Sequence, residues 1–60
     1  MLYTVGYRGW TIWRQNDREP FRISRTDARD LETLKRTDDG THYRDFAAAR
    51  REVEYLQPRT

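Results

Sequence analysis

The side chains of this chain that could perform acid–base or metal chemistry are few and lie far apart. His42 is the single histidine, and there is no cysteine, so neither a thiol nucleophile nor a His/Cys metal cluster is available. A lone histidine is more often a loop residue than a catalyst. Asp38-Asp39-Gly40-Thr41 lacks the alternating ligands and distant glutamate of a calcium loop, and turn chemistry explains it. We therefore expect a protein that is not an enzyme and needs no cofactor or metal.

Basic side chains suited to binding are more plentiful, and all of them except Lys35 are arginine. Arginine's planar guanidinium suits carboxylates, phosphates and aromatic rings. Residues 1–26 hold five arginines against two acidic residues, whereas residues 27–60 hold seven basic against eight acidic residues. A solvated surface also explains such interspersed charges. The candidates for contacting a partner or phosphates are Arg8, Arg14, Arg22 and Arg25.

A second candidate binding surface is acidic. It suits a basic protein surface, although solubility explains the same carboxylates. Its members are Asp27, Asp30, Glu32, Asp38 and Asp39.

A β-hairpin over Tyr3–Arg14 is the element on which these side chains depend. Arg8-Gly9 separates two runs rich in β-branched and aromatic residues, and a two-residue loop of this kind predicts a tight turn. That loop pairs Tyr7 with Trp10, Val5 with Ile12, and Tyr3 with Arg14, all on one side of the ribbon. Strand alternation places the remaining side chains on the opposite side: Leu2, Thr4, Gly6, Thr11 and Trp13.

Two further segments complete the predicted sheet and its cover. After a polar loop over 15–20, residues 21–24 alternate apolar and polar, which predicts a third strand with Phe21 and Ile23 inward and Arg22 beside Trp13. Residues 26–37 are open to two interpretations. One is a short helix capped by Thr26 or Asp27 and carrying three apolar residues; the other is a strand over 34–37 that turns at 39–40 into 41–44. The apolar residues of the helical alternative are Ala28, Leu31 and Leu34.

The C-terminal helix has the clearest pattern. Asp45 is a good N-cap, and Pro58 predicts that the helix ends near Gln57. The predicted buried stripe consists of Phe46, Ala49, Val53 and Leu56. We also expect Arg50 and Glu54 to pair one turn apart on the solvent face.

Length predicts one small domain over residues 1–60, and the pattern of strands followed by a helix predicts the α+β class. With 35% hydrophobic and 37% charged residues, the chain has material for only a small core. We predict a three- to four-stranded antiparallel sheet with the C-terminal helix packed on one face. No apolar run approaches the roughly 18 residues of a membrane span, and the N-terminus does not resemble a signal peptide, so we expect a cytoplasmic protein with no membrane partner.

Trp13 is the sharpest binding candidate, because one good helix covers only one face of the sheet. We expect the ring of Trp13 to be exposed, as an interface hot spot or a platform for stacking bases. The alternative is that Trp13 packs under residues 26–37, or shields the sheet through a cation–π contact with Arg22.

Two stretches carry a resemblance to known families. Residues 45–53 (Asp-Phe-Ala-Ala-Ala-Arg-Arg-Glu-Val) and the hairpin over 3–12 resemble small phage and mobile-element proteins built as antiparallel strands followed by one helix, the anti-CRISPR inhibitors of host defence among them. This resemblance implies a protein target that is bound and blocked. Three strands plus a helix are also similar to the arm-binding domain of tyrosine integrases and to AP2 domains. That resemblance implies nucleic-acid reading by Trp13, Arg8, Arg14 and Arg22. Independently of either resemblance, a second copy of the chain is a further candidate partner.

Overall fold

The sheet of this protein has a helix against each of its faces. The structure is a computed structural model that describes residues 1–57. The sheet is antiparallel with strand order β1-β2-β3, and its α+β build with a C-terminal helix on one face confirms the predicted class. In chain order the elements are β1 (Tyr3–Tyr7), β2 (Trp10–Arg14), β3 (Arg22–Ser24), α1 (Leu31–Arg36) and α2 (Phe46–Leu56).

The hairpin turn has the backbone that its two residues require. Arg8 and Gly9 both have positive φ, 54° and 84°, as at the centre of a type I′ turn. Such a turn matches the right-handed twist of the strands, and glycine adopts it at no steric cost. The register that follows is the predicted one, with Tyr7 opposite Trp10 and Tyr3 opposite Arg14.

The third strand joins β2 and is itself covered along its outer edge. Ile23 lies opposite Ile12, so the predicted inward face of β3 is confirmed. Beyond β3, Phe21 forms an isolated bridge with Tyr43, and Ser24 forms one with Asp38. The segment after α1 therefore runs back along β3. Residues 38 and 43 pair with the sheet, as the strand alternative expected for this region, but they form isolated bridges and no fourth strand.

Helix α2 closes the first face of the sheet. The carboxylate of Asp45 accepts a hydrogen bond from the amide of Ala48 at 2.8 Å, which confirms the predicted cap. Ala49 and Val53 are fully buried against Ile12, Phe21 and Ile23. At the edge of the predicted stripe, Leu56 stays 42% exposed, so its burial was wrongly predicted. The helix ends at Leu56, as expected, whereas Pro58 lies outside the described residues.

Helix α1 closes the second face and begins later than either predicted cap. Asp30 is the N-cap, since its carboxylate accepts from the amide of Thr33 at 2.9 Å. Thr26 and Ala28 stay outside the helix because the buried hydroxyl of Thr11 binds both: it donates to the Thr26 carbonyl at 2.7 Å and accepts from the Ala28 amide at 3.0 Å. A helical conformation over 34–36 excludes a strand there. Neither helix in the described chain has the length and apolar character of a membrane span.

Candidate functional site

The indole of Trp13 is buried, contrary to the predicted exposure. Its side chain has no exposed surface, and its Nε1 donates to the hydroxyl of Ser24 at 2.8 Å. Ser24, also fully buried, donates in turn to the carbonyl of Leu34 in α1 at 2.5 Å. The weighed alternative, packing under residues 26–37, is the one observed. A ring with no exposed surface contacts no partner in this conformation.

Arg22 packs against the buried ring of Trp13. Its guanidinium carbon lies 5.1 Å from the centroid of the Trp13 ring, within cation–π range, as the alternative interpretation held. The same guanidinium forms an ion pair with Asp38, whose side chain is only 6% exposed. The prediction that Asp38 belongs to an exposed acidic patch is therefore wrong, because the ion pair with Arg22 holds its side chain against β3.

The other predicted arginines do not gather into one patch. Arg8 lies at the hairpin turn, 5.2 Å from the Tyr7 ring, and donates to the carbonyl of Gln57 at 3.4 Å. Arg25 is exposed just beyond β3, at the same end of the sheet. Arg14 lies at the other end of β2, about 13 Å by strand rise from Trp10 at the turn end. Its guanidinium stacks on Phe21 at 4.5 Å, on the face opposite to Arg22.

Most carboxylates of the predicted acidic patch have partners within the chain. Asp30 caps α1, and the Thr33 hydrogen bond lowers its pKa. Asp27 pairs with Arg29 at 3.3 Å on the surface. Asp39 accepts from the Thr41 amide at 2.9 Å and from the Tyr43 hydroxyl at 2.9 Å. Of the five, Glu32 alone is exposed in the described structure with no recorded ion pair or side-chain hydrogen bond.

Two tyrosines beside the core, Tyr7 and Tyr43, have raised pKa values, and the hydroxyl of each donates a hydrogen bond to a carboxylate. Burial, reinforced by the hydrogen bond to Asp39, raises the pKa of Tyr43 to about 12. The hydroxyl of Tyr7 donates to Glu54 of α2 at 2.5 Å; this bond raises the pKa of Tyr7 and lowers that of Glu54. The Tyr7 hydroxyl thereby holds α2 to β1, and the Tyr43 hydroxyl closes the turn over residues 39–43, so both hydrogen bonds have a structural role.

Within residues 1–57, no group of three or more His, Cys, Asp or Glu side chains is arranged to hold a metal ion. His42 is exposed in the loop before α2. The carboxylates nearest to it in sequence are those that fix turns and caps.

The most exposed aromatic side chain lies on α2, where the sequence reasoning did not look. Tyr55 is 79% exposed and shares the outward face of the helix with Ala47 and Arg51, at spacings of four residues. This outward face of α2 is flanked by Arg50, which pairs with Glu54 at 3.7 Å as predicted. Helical periodicity contained the signal, since these residues lie opposite the buried stripe.

Comparisons of this chain with protein-family models, with curated protein sequences and with solved structures gave no match.

Proposed function

We propose that this protein is a non-enzymatic binding protein that acts by contact with a macromolecular partner, through the outward face of α2. The observation that carries the proposal is that Tyr55 and Arg51 lie one turn apart on that face and are both exposed. Tyrosine and arginine are among the residue types enriched at interface hot spots. Both are exposed, and no ion pair of Arg51 occurs among the described residues.

The chemistry of this face favours a protein partner with an acidic surface and a shallow apolar seat. Arg44 precedes the helix, Arg51 lies at the centre of the face, and both are exposed. The two glutamates of the helix are half-buried, and Glu54 is already bound to Tyr7 and Arg50. The exposed charge is thus mainly positive, and Ala47 leaves room for the partner beside it.

The resemblance to phage and mobile-element proteins supports a more specific version of the proposal. In that version the protein binds and blocks a component of a host defence system, in the cytoplasm, as anti-CRISPR inhibitors do. A sheet-based nucleic-acid module has less support. The face that would read bases carries Trp13, and α1 lies over it.

Capture from host-cell lysate tests the proposal when variants are compared side by side. We expect immobilised wild-type protein to retain a protein partner after nuclease treatment, and the double variant Arg51→Ala/Tyr55→Ala to lose it. Arg18→Ala, which removes an exposed arginine from the loop over 15–20, should retain it.

Equal capture by the double variant would move the binding surface away from α2. Capture that disappears on nuclease treatment would favour nucleic acid instead. In that case the affinity for duplex and single-stranded probes should fall steeply with salt, because phosphate contacts release counterions.

A further inference from the structure

The outer edge of strand β1 is unpaired within the part of the chain that the structure describes. A two-residue turn makes Tyr7–Trp10 a hydrogen-bonded pair, and the pairs alternate along the hairpin. The backbone groups of Tyr3, Val5 and Tyr7 therefore point at β2, while those of Thr4 and Gly6 point away from the sheet. Within residues 1–57, no other segment hydrogen-bonds to this outer edge.

The sheet protects its two edges very differently. At β3, two isolated bridges cover the outer edge with the segment after α1. The sequence Tyr-Thr-Val-Gly-Tyr of β1 contains no charge and no proline. Charged residues, proline and bulges are the usual devices that keep an edge strand from pairing with another chain.

We propose that β1 pairs antiparallel with β1 of a second copy, forming a continuous six-stranded sheet about a twofold axis at Val5. In this register Thr4 of each copy lies opposite Gly6 of the other, and both residues direct their N–H and C=O groups at the partner strand. Four interchain hydrogen bonds result. A contact of this kind is isologous, since the same residues serve on both sides and the assembly closes at two copies.

The side chains of β1 are self-complementary in this register because the strand reads nearly the same in both directions from Val5. Tyr3 faces Tyr7 of the second copy, and Val5 faces its own equivalent. Helix α2 lies over β2 and β3, which leaves Tyr3 45% exposed and Val5 half-buried. Pairing would extend the apolar face across the axis, and aromatic and β-branched cross-strand pairs stabilise a sheet.

Charges beside the axis match as well. The Asp27 carboxylate lies 3.1 Å from the position that a Cβ on Gly6 would occupy, and Asp27 pairs with Arg29 on the surface. The two Gly6 residues of the dimer are diagonal neighbours, about 7–8 Å apart. Each Asp27–Arg29 pair therefore lies beside its symmetry mate, with carboxylate and guanidinium able to alternate. This inference does not depend on the partner proposed for α2.

Engineered cysteines test the association and its register together, since the chain has no cysteine of its own. Val5→Cys places two thiols directly opposite each other at the axis, a non-hydrogen-bonded pair with Cα atoms about 4.5 Å apart, which a disulfide spans. Thr4→Cys is the matched control, because its two thiols are diagonal neighbours about 7–8 Å apart. We expect Val5→Cys to form a disulfide-linked dimer under limiting oxidant and Thr4→Cys to form little.

Sedimentation over a range of concentrations measures the unmodified dimer. Thr4→Pro removes two interchain donors per dimer and should raise the dissociation constant about tenfold or more, whereas Thr4→Val keeps the donor and should leave it unchanged. Circular dichroism verifies that each variant is folded. A wild-type protein that stays monomeric at millimolar concentration, or equal cross-linking of the two cysteine variants, overturns the proposal.

Discussion

The hydroxyl of Ser24 links two buried groups. It accepts a hydrogen bond from the indole N–H of Trp13 and donates one to the carbonyl of Leu34 in α1. All three residues have no exposed surface, so water does not replace a lost partner. Ser24→Ala leaves one buried donor and one buried acceptor unpaired, at about 1–3 kcal/mol each, or about 2–6 kcal/mol in total. A domain of this length has about 3–9 kcal/mol of stability altogether. We therefore expect Ser24→Ala to lower the free energy of unfolding by about 2–6 kcal/mol, a large share of the total.

Urea unfolding monitored by circular dichroism measures this loss, and a double-mutant cycle with Trp13→Phe isolates the indole hydrogen bond. In the Trp13→Phe background there is no indole N–H to leave unpaired. Ser24→Ala should then cost only the share of the Leu34 carbonyl, about 1–3 kcal/mol. The coupling between the two sites should be about the same size.

Two results would refute this reasoning. One is a loss below about 1 kcal/mol for Ser24→Ala in the wild-type background, which would mean that the two groups find other partners. The other is an equal loss in both backgrounds, which would show that the serine hydroxyl does not serve the indole.

Three other predictions follow from the same structure. Trp10→Phe leaves Trp13 as the emitting tryptophan, and its fluorescence should be blue-shifted and resistant to acrylamide because the ring is buried. Ready quenching by acrylamide would show instead that the ring of Trp13 is exposed. Asp45→Ala should lower the stability of α2 by about 0.5–2 kcal/mol in urea unfolding, whereas Asp45→Asn should preserve the cap. Because folding raises the pKa of Tyr43 from 10.0 to about 12, its contribution to stability is complete below pH 10 and is lost as pH rises towards 12. Alkaline melting curves of wild type and Tyr43→Phe check this, and the variant should show the shallower decline.

Local rules predicted the hairpin and α2 well because each depends on residues adjacent in sequence. The positive φ of Gly9 and the alternation of β1 and β2 determine the register. The carboxylate of Asp45 and the apolar stripe determine where α2 begins and which side it buries. Neither feature needs knowledge of a distant partner.

The position of Trp13 was not predictable from a count of apolar residues. That count indicated too little material to cover a second face of the sheet. In the structure Leu34 of α1 is fully buried on this face, and the polar side chains that the strands place there, Thr11 and Ser24, are buried with hydrogen-bond partners. Buried polar groups are stable there because each has a partner, and those partners are long-range in sequence. The same holds for Asp38, whose ion pair with Arg22 forms only after the chain returns along β3.

The two proposed surfaces have a geometric relation that bears on function. The twofold axis of an antiparallel pair of edge strands is perpendicular to the sheet, so both copies of α2 would lie on the same face of the six-stranded sheet. Their outward faces, each with Arg51 and Tyr55, would then point the same way. A repetitive or dimeric partner would meet both at once, and the second contact would be intramolecular, which raises the effective affinity without any new contact. Loss of the β1 pairing through Thr4→Pro should therefore weaken capture of such a partner more than it weakens binding to a single α2 face.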